Sequence, residues 1–152
     1  PQLCRNVHIN GAGQAVVPLQ AALSDRTSIS PFHYQNLTTE GALHALGAPI
    51  DQYGKRFQPV FTLPTLSYSL NGFVRQFDLP TPNHIKIDVD GTESQILKGS
   101  KEVLRGPQLR SLLVEAYEEH QHSGDIVGLL EMNGFALHSR RAGNSMYCRS
   151  EA

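Results

Sequence analysis

The spacing of hydrophobic residues predicts alternating strands and helices in the second half of the chain. Residues 85–89 alternate between apolar and charged side chains, which is typical of a strand with one buried face. Apolar residues at helical spacing follow Thr92, and Gly106 ends that helix. Further predicted elements are a strand at 109–116, a helix at 124–132, and strands at 135–138 and 145–149. This order predicts an α/β fold with a mostly parallel sheet and an antiparallel strand pair at its carboxyl end.

The first half of the chain has a weaker pattern. A helix is predicted over residues 1–10, a strand over 15–23 and a second helix over 66–77. Residues 27–64 are rich in Gly, Pro, Ser, Thr and Asn, so they are expected to form a loop-rich insertion with one possible strand at 57–63. The length of 152 residues fits a single domain.

Composition and charge exclude several classes of protein. Thirteen Lys and Arg against 14 Asp and Glu give a net charge of -1, which argues against a nucleic-acid partner. The apolar runs are far shorter than the roughly 20 residues of a membrane span, and residues 1–5 lack the pattern of a secretory signal. Cys4 and Cys148 have neither a disulfide-framework nor a zinc spacing and are expected to be reduced thiols. We therefore expect a cytoplasmic protein without a membrane partner and without a metal site.

Three carboxylates gather at the end of the strand predicted at 85–89. Asp88 and Asp90 are two residues apart, so a strand places them on the same face, and Glu93 follows in the first turn of the next helix. Ligands bind beyond the carboxyl ends of the strands in open α/β sheets. Two carboxylates about 7 Å apart repel by roughly 2 kcal/mol, which Lys86, a bound cation or a ligand would offset. The pattern predicts either a ligand site or acids that only stabilise the start of a helix.

The strings HIKIDVDGTESQILKGSKEVL at 84–104 and LRSLLVEA at 109–116 resemble the signature of FkbM-type methyltransferases. Upstream, residues 6–11 and 17–25 resemble the helix of that family, its LNG turn and the ALSD end of its third strand. The resemblance implies a Rossmann-like methyltransferase sheet and S-adenosylmethionine as cofactor. It also implies a small-molecule acceptor, with methyl transfer onto a hydroxyl of a sugar, lipid or secondary metabolite.

The same resemblance implies roles for individual residues. Asp88 would lie near the methyl group and the acceptor as a catalytic residue. Asp90 and Glu93 would complete this catalytic set by orienting the acceptor or holding a cation. Three residues at the end of the family's third strand would lie near the adenine of the cofactor: Ala22, Leu23 and Ser24.

Two departures from the family pattern have consequences. Leu70-Asn71 stands where the family usually has Leu-Asp. The family's first strand, its glycine-rich cofactor loop and the acidic end of its second strand would precede Pro1, and residues 11–13 (GAG) do not replace the loop because they follow a helix. The sheet is therefore expected to be truncated at its amino-terminal side, within a partial domain. Its exposed strand edges are expected to pair internally or in a homo-oligomer.

Other interpretations stay open at this point. The chain would alternatively be a non-catalytic remnant of the fold that acts as a binding or assembly module, or a metal-dependent hydrolase that uses the three carboxylates. Residues 118–122 (EEHQH) are candidate metal ligands, His84 is a candidate general base, and Tyr117 is a candidate wall of the acceptor pocket.

Overall fold

The structure is a computed structural model that describes residues 2–38, 44–115 and 123–150. The strands are β1 Ala22–Leu23, β2 Ser28–Tyr34, β3 Ala45–Leu46, β4 Phe61–Tyr68, β5 His84–Ile87, β6 Ser111–Glu115, β7 Phe135–Arg141 and β8 Asn144–Arg149. The helices are α1 Gln2–Ile9, α2 Leu70–Gln76, α3 Glu93–Lys98, α4 Lys101–Arg105 and α5 Ser123–Met132. In this part of the chain, no helix has both the length and the apolar character that a membrane span requires.

The strands form two four-stranded sheets, ordered β1-β4-β2-β3 and β5-β6-β8-β7. The mixed α/β class is confirmed, and so is the antiparallel pair at the carboxyl end. A mostly parallel sheet is not observed, because only β1 with β4 and β5 with β6 run parallel. Short connections explain part of this difference. The turn between β7 and β8 consists of Ala142 and Gly143, both with positive φ, and such a turn can join only antiparallel strands.

The region predicted as loop-rich, residues 27–64, contains β2, β3 and the start of β4. β4 continues to Tyr68, so the helix predicted from Leu66 begins only at Leu70. Pairing overrides the helical pattern here, because β4 bonds to β2 along its whole length and to β1 at its end. Ser69 then starts α2, where its Oγ accepts a hydrogen bond from the N–H of Gly72 at 3.1 Å.

The strand predicted over 15–23 is reduced to Ala22–Leu23. Residues 19–21 are exposed, and β4 offers partners only to Ala22 and Leu23. The earlier residues of the predicted strand have no neighbouring strand to pair with among the described residues. Their apolar pattern alone therefore does not extend β1 towards residue 15.

The hydrophobic core lies between the β5–β8 sheet and helices α3, α4 and α5. Its fully buried members are Leu97, Leu104, Leu109, Leu112, Val114, Ile126, Leu130, Phe135 and Tyr147. These residues belong to the segments whose pattern was clearest in the sequence, since each helix there presents one apolar stripe to the sheet.

Arg149 joins β8 to the loop between α4 and β6. Its guanidinium donates hydrogen bonds to the carbonyl oxygens of Leu104 at 2.8 Å, Gly106 at 2.7 Å and Leu109 at 2.9 Å. The same group lies 4.5 Å from the ring centroid of Phe135. One side chain therefore satisfies three carbonyl groups near the end of α4.

Candidate functional site

A cleft of about 870 Å³ lies between the two sheets. Residues 84–90 line one side of it and residues 19–23 line another. Because consecutive rather than alternate residues face the cleft, β5 and β1 present their edges to it. A face of the β1–β4 sheet forms the third side, with Phe32, Tyr34, Leu46, Leu63 and Thr65.

The two strand edges at the cleft each have one partner strand among the residues described. β5 pairs with β6 and β1 pairs with β4. The opposite edge of each strand carries backbone N–H and C=O groups that can bond to another strand or to a ligand. The cleft therefore combines apolar walls with backbone hydrogen-bonding groups.

Asp88 lies just beyond the carboxyl end of β5, where it forms an ion pair with Lys86. Oδ2 of Asp88 is 2.6 Å from Nζ of Lys86, and both side chains are about half exposed (49% and 58%). The Lys86 ammonium lowers the pKa of the Asp88 carboxyl by hydrogen bonding and charge, and the carboxylate raises the pKa of Lys86. Exposed pairs add little to stability. The contact therefore fixes the orientation of the Asp88 carboxylate at the cleft.

Asp90 is directed into the cleft by a tight turn. Its Oδ2 accepts a hydrogen bond from the backbone N–H of His44 at 3.1 Å. The next residue, Gly91, has φ +97°, and a Cβ there would lie 2.8 Å from Cα of Gln52. Only glycine fits this backbone without strain. Gly91 thus sets the direction in which the chain leaves β5.

Glu93 lies apart from the other two carboxylates. It is 3% exposed and lines a separate cavity of about 180 Å³ rather than the large cleft. Its Oε1 accepts a hydrogen bond from the N–H of Gly91 at 3.2 Å. Burial raises the pKa of Glu93, and the nearby charges of Glu115 and Asp90 raise it further. These contacts are those of an acid that stabilises the start of α3.

Of the three residues expected near the adenine, two line the cleft and the third does not. Ala22 and Leu23 line the cleft. Ser24 is 7% exposed, and its N–H donates to the carbonyl of Tyr68 at 2.8 Å. Its Oγ lies 3.3 Å from Oδ1 of Asp25. The structure therefore brings Asp88, Asp90, Ala22 and Leu23 to one cleft.

Three aromatic rings of the cleft wall were missed by the sequence reasoning. The ring centroids of Phe32 and Tyr34 are 5.0 Å apart, and those of Tyr34 and His44 are also 5.0 Å apart. Phe32 and Tyr34 occupy alternate positions of β2, which is a strand signal. Pro31 and the neighbouring Ser, Thr and Asn residues favoured a loop instead, because proline is rare inside a sheet.

The candidate general base His84 lines the same cleft but lies at the far end of β5 from Asp88 and Asp90. Nδ1 of His84 lies 2.8 Å from Oγ of Ser111, at the amino end of β5. A rise of about 3.3 Å per residue separates His84 from Asp88 by about 13 Å. Tyr117 and residues 118–122 lie outside the described residues. Within 2–38, 44–115 and 123–150, no three His, Cys, Asp or Glu residues are grouped as metal ligands.

Asn71, which stands where the resemblance leads one to expect an acid, has a clear structural contact. Its Oδ1 accepts a hydrogen bond from the N–H of Val103 at 3.3 Å, and its own N–H donates to the carbonyl of Gly99 at 3.1 Å. An aspartate would accept the same bond from Val103. The departure therefore leaves the contact between α2 and α4 in place.

Comparison with protein families gives a match over most of the chain. The model of the family described as methyltransferase FkbM domain matches residues 2–137 of the 152 residues. No match was found among curated proteins or among solved structures. The matched range contains both strand edges of the cleft and all the carboxylates discussed above. The chain therefore belongs to the FkbM methyltransferase domain family.

Proposed function

We propose that the chain is the methyltransferase domain of an enzyme that uses S-adenosylmethionine to methylate a hydroxyl group. The acceptor would be a sugar, a lipid or a secondary metabolite. The observation that carries the proposal is the placement of Asp88 and Asp90 on the same cleft as Ala22 and Leu23. Membership of the FkbM family supports it. The volume of about 870 Å³ also lies in the usual range for small-molecule sites.

The residues present at the cleft fit this cofactor. Ala22, Leu23 and Ile85 provide apolar surface for an adenine ring. Asp88 and Asp90 provide carboxylates, which suit ribose hydroxyls and the positive charge of a sulfonium group. When bound, the cofactor supplies an electrophilic methyl group.

The chain itself would orient the acceptor and take up its proton. Asp88 is a carboxylate oriented by its ion pair with Lys86, so it would accept a hydrogen bond from the acceptor hydroxyl, hold it in place and take up its proton. A carboxylate has about four acceptor positions. The N–H of His44 takes one on Asp90, which leaves that carboxylate other positions with which to orient the acceptor. Fixed orientation of two reactants is one of the largest contributions that an enzyme can make to a rate.

Calorimetric titration with S-adenosylmethionine tests the proposal. We expect binding by the wild type, and binding at least about tenfold weaker in Asp88→Asn, because hydrogen bonds to charged groups contribute about 1.5–3 kcal/mol. Asp78→Asn is the matched control, since Asp78 has φ 49°, a backbone conformation that asparagine tolerates, and lies away from the cleft. If the wild type shows no heat up to millimolar cofactor, the described cleft does not form a cofactor site in this chain.

A second candidate function is that of a non-catalytic binding or assembly module. The edges of β1 and β5 favour it, because each is paired on one side only in the described part of the chain. Either function is compatible with a homo-oligomer formed through these edges, and we propose that the chain associates in this way.

Light scattering coupled to size exclusion tests this association. We expect a mass of about twice 16.7 kDa, reduced towards the monomer by Ala21→Pro, which removes an N–H beside β1. Val17→Pro serves as the control, because Val17 is 78% exposed and does not line the cleft. A monomer at every concentration, or equal effects of the two prolines, would contradict association through these edges.

We also propose that the chain, as one partial methyltransferase-like domain, functions in the cytoplasm. Cys4 and Cys148 are both free thiols, and free thiols persist in reducing compartments. Alkylation of the protein inside cells, followed by mass spectrometry, is expected to find both thiols modified. Protection of either thiol would argue for an oxidising compartment.

A further inference from the structure

We propose that the cleft holds a methylated ammonium group of the acceptor between the rings of Phe32, Tyr34 and His44 and the carboxylate of Asp90. The proposal deepens the proposed function by naming a class of acceptor, and it rests on that function only for the assignment to the acceptor. The binding of the cation itself is a property of these four side chains.

The rings of Phe32, Tyr34 and His44 are inclined to one another rather than stacked, and we call this group of three rings the cup. The centroid of Phe32 is 5.0 Å from that of Tyr34 and 5.9 Å from that of His44, with ring planes inclined by 69° and 64°. Tyr34 and His44 are inclined by 52°. All three side chains are half-buried and line the cleft. Rings at these distances contact one another edge to face, so a cation would lie on the side of the rings that faces the cleft, where aromatic faces attract it.

A negative charge lies directly beside these rings. Oδ2 of Asp90 accepts a hydrogen bond from the backbone N–H of His44, so the carboxylate is held at the backbone of a residue whose ring is one of the three. The other carboxylate at this end of β5, Asp88, is paired with Lys86. No ion pair connects Asp90 to a Lys or Arg within the described ranges. The charge that remains for a ligand at the cup is therefore that of Asp90.

The His44 ring is held in place by the backbone of β2's continuation. Its Nδ1 accepts a hydrogen bond from the backbone N–H of Gln35 at 3.4 Å. Three rings and one carboxylate are the composition of a site for a methylated ammonium ion, since such a cation needs aromatic faces more than hydrogen-bond acceptors. A divalent metal would need several oxygen ligands, which rings do not supply.

Choline and its neutral isostere 3,3-dimethylbutan-1-ol provide the test. The two molecules have nearly the same shape and differ in the charge on one atom. Titrations followed by amide chemical shifts, without any methyl donor, give the affinity of each molecule for the wild type. We expect choline to bind at least about tenfold more tightly, because one cation–aromatic contact contributes between about two- and thirtyfold.

Variants show which residues carry this preference. Asp90→Asn keeps an oxygen for the N–H of His44 and removes the charge, while Tyr34→Leu removes one ring. Each variant is expected to reduce the preference for choline over the neutral isostere to about threefold or less. Tyr34→Phe keeps the ring and is expected to keep the preference, as are the controls Asp78→Asn and Phe77→Leu, which lie outside the cleft. Equal affinities of the two molecules for the wild type, or a preference that survives Asp90→Asn and Tyr34→Leu, would overturn the proposal.

A final titration distinguishes the acceptor from the methyl donor. S-adenosylhomocysteine has a neutral sulfur, and we expect choline to bind with undiminished preference in its presence. Displacement of choline would assign the cup to the sulfonium end of the cofactor and would overturn the acceptor class. Failure of the cofactor to bind would leave the choline measurements unchanged, so the two proposals can fail separately.

Discussion

Substitution of Gly91 by alanine tests whether the turn after β5 is as tightly packed as the structure shows. Gly91 has φ +97°, and a Cβ would lie 2.8 Å from Cα and 3.3 Å from N of Gln52. Both atoms belong to the backbone, so no rotation of a side chain can relieve the contact. Gly134 has φ +79°, but its Cβ would only meet the end of the Arg149 side chain at 3.8 Å. Gly134→Ala is therefore a matched control, because it has the cost of a positive φ without a close contact between the new Cβ and the backbone.

The expected losses follow from these two contributions. A positive φ costs an L-residue roughly 1–2 kcal/mol, which applies to both substitutions. Forcing an extra carbon into a packed site adds about 1–3 kcal/mol, which applies to Gly91 alone. We expect Gly91→Ala to lower the free energy of unfolding by about 2–5 kcal/mol, against about 1–2 kcal/mol for Gly134→Ala. A difference of that size is a substantial fraction of the roughly 5–15 kcal/mol that stabilises a domain.

Urea unfolding followed by circular dichroism measures both losses on the same protein. The amide resonance of His44 provides a second measurement, because its N–H donates to Asp90, the residue before Gly91. We expect this resonance to shift in Gly91→Ala and to stay in place in Gly134→Ala. Losses that agree within about 0.5 kcal/mol, with no shift at His44, would refute the argument that Gln52 restricts this turn.

Two further substitutions test the core and the buried acid. Arg149→Ala leaves three carbonyl groups near the end of α4 without their donor and is expected to lower the free energy of unfolding by about 2–4 kcal/mol, with Arg149→Lys recovering only part of it. Full recovery of the wild-type stability by Arg149→Lys would show that charge alone matters and would contradict this expectation. Burial raises the pKa of Glu93, so the folded state binds a proton at this carboxyl more tightly than the unfolded chain does. The free energy of unfolding therefore falls as the pH rises from the ordinary carboxyl pKa through the raised one. Glu93→Gln keeps an acceptor for the N–H of Gly91 and is expected to remove this part of the pH dependence. Above that pH range we expect the variant to be more stable than the wild type. Parallel curves of stability against pH for the two proteins would contradict this prediction.

The position of the cleft carboxylates was predictable because it depends on local order. Asp88 and Asp90 follow a strand whose alternation is plain in the sequence, and the carboxyl end of a strand is where such side chains meet a ligand. Glu93 looked equivalent to them in sequence. The turn at Gly91 and the burial of α3 carry it to a separate cavity, which is also lined by Gln52, a residue distant in sequence that packs against Gly91.

The aromatic wall of the cleft could not be predicted from the segment that contains it. Phe32 and Tyr34 face the cleft because β2 pairs with β4, although residues 35–60 separate the two strands in the chain. The same pairing extends β4 through Leu66, which the local pattern assigned to a helix. A hydrophobic period records only what neighbouring residues prefer, and strand pairing between distant segments can override it.

The sequence by itself determined the order of elements from His84 to Arg149, the acids at the end of β5 and membership of the family. These depend on local alternation, on turn residues such as Gly143 and on a continuous string of characteristic residues. Tertiary structure alone decided which strands pair, which carboxylates share a cleft and which rings stand beside Asp90. The physical reason is that backbone hydrogen bonds between strands can join any two edges, so the pairing is chosen by packing across the whole chain.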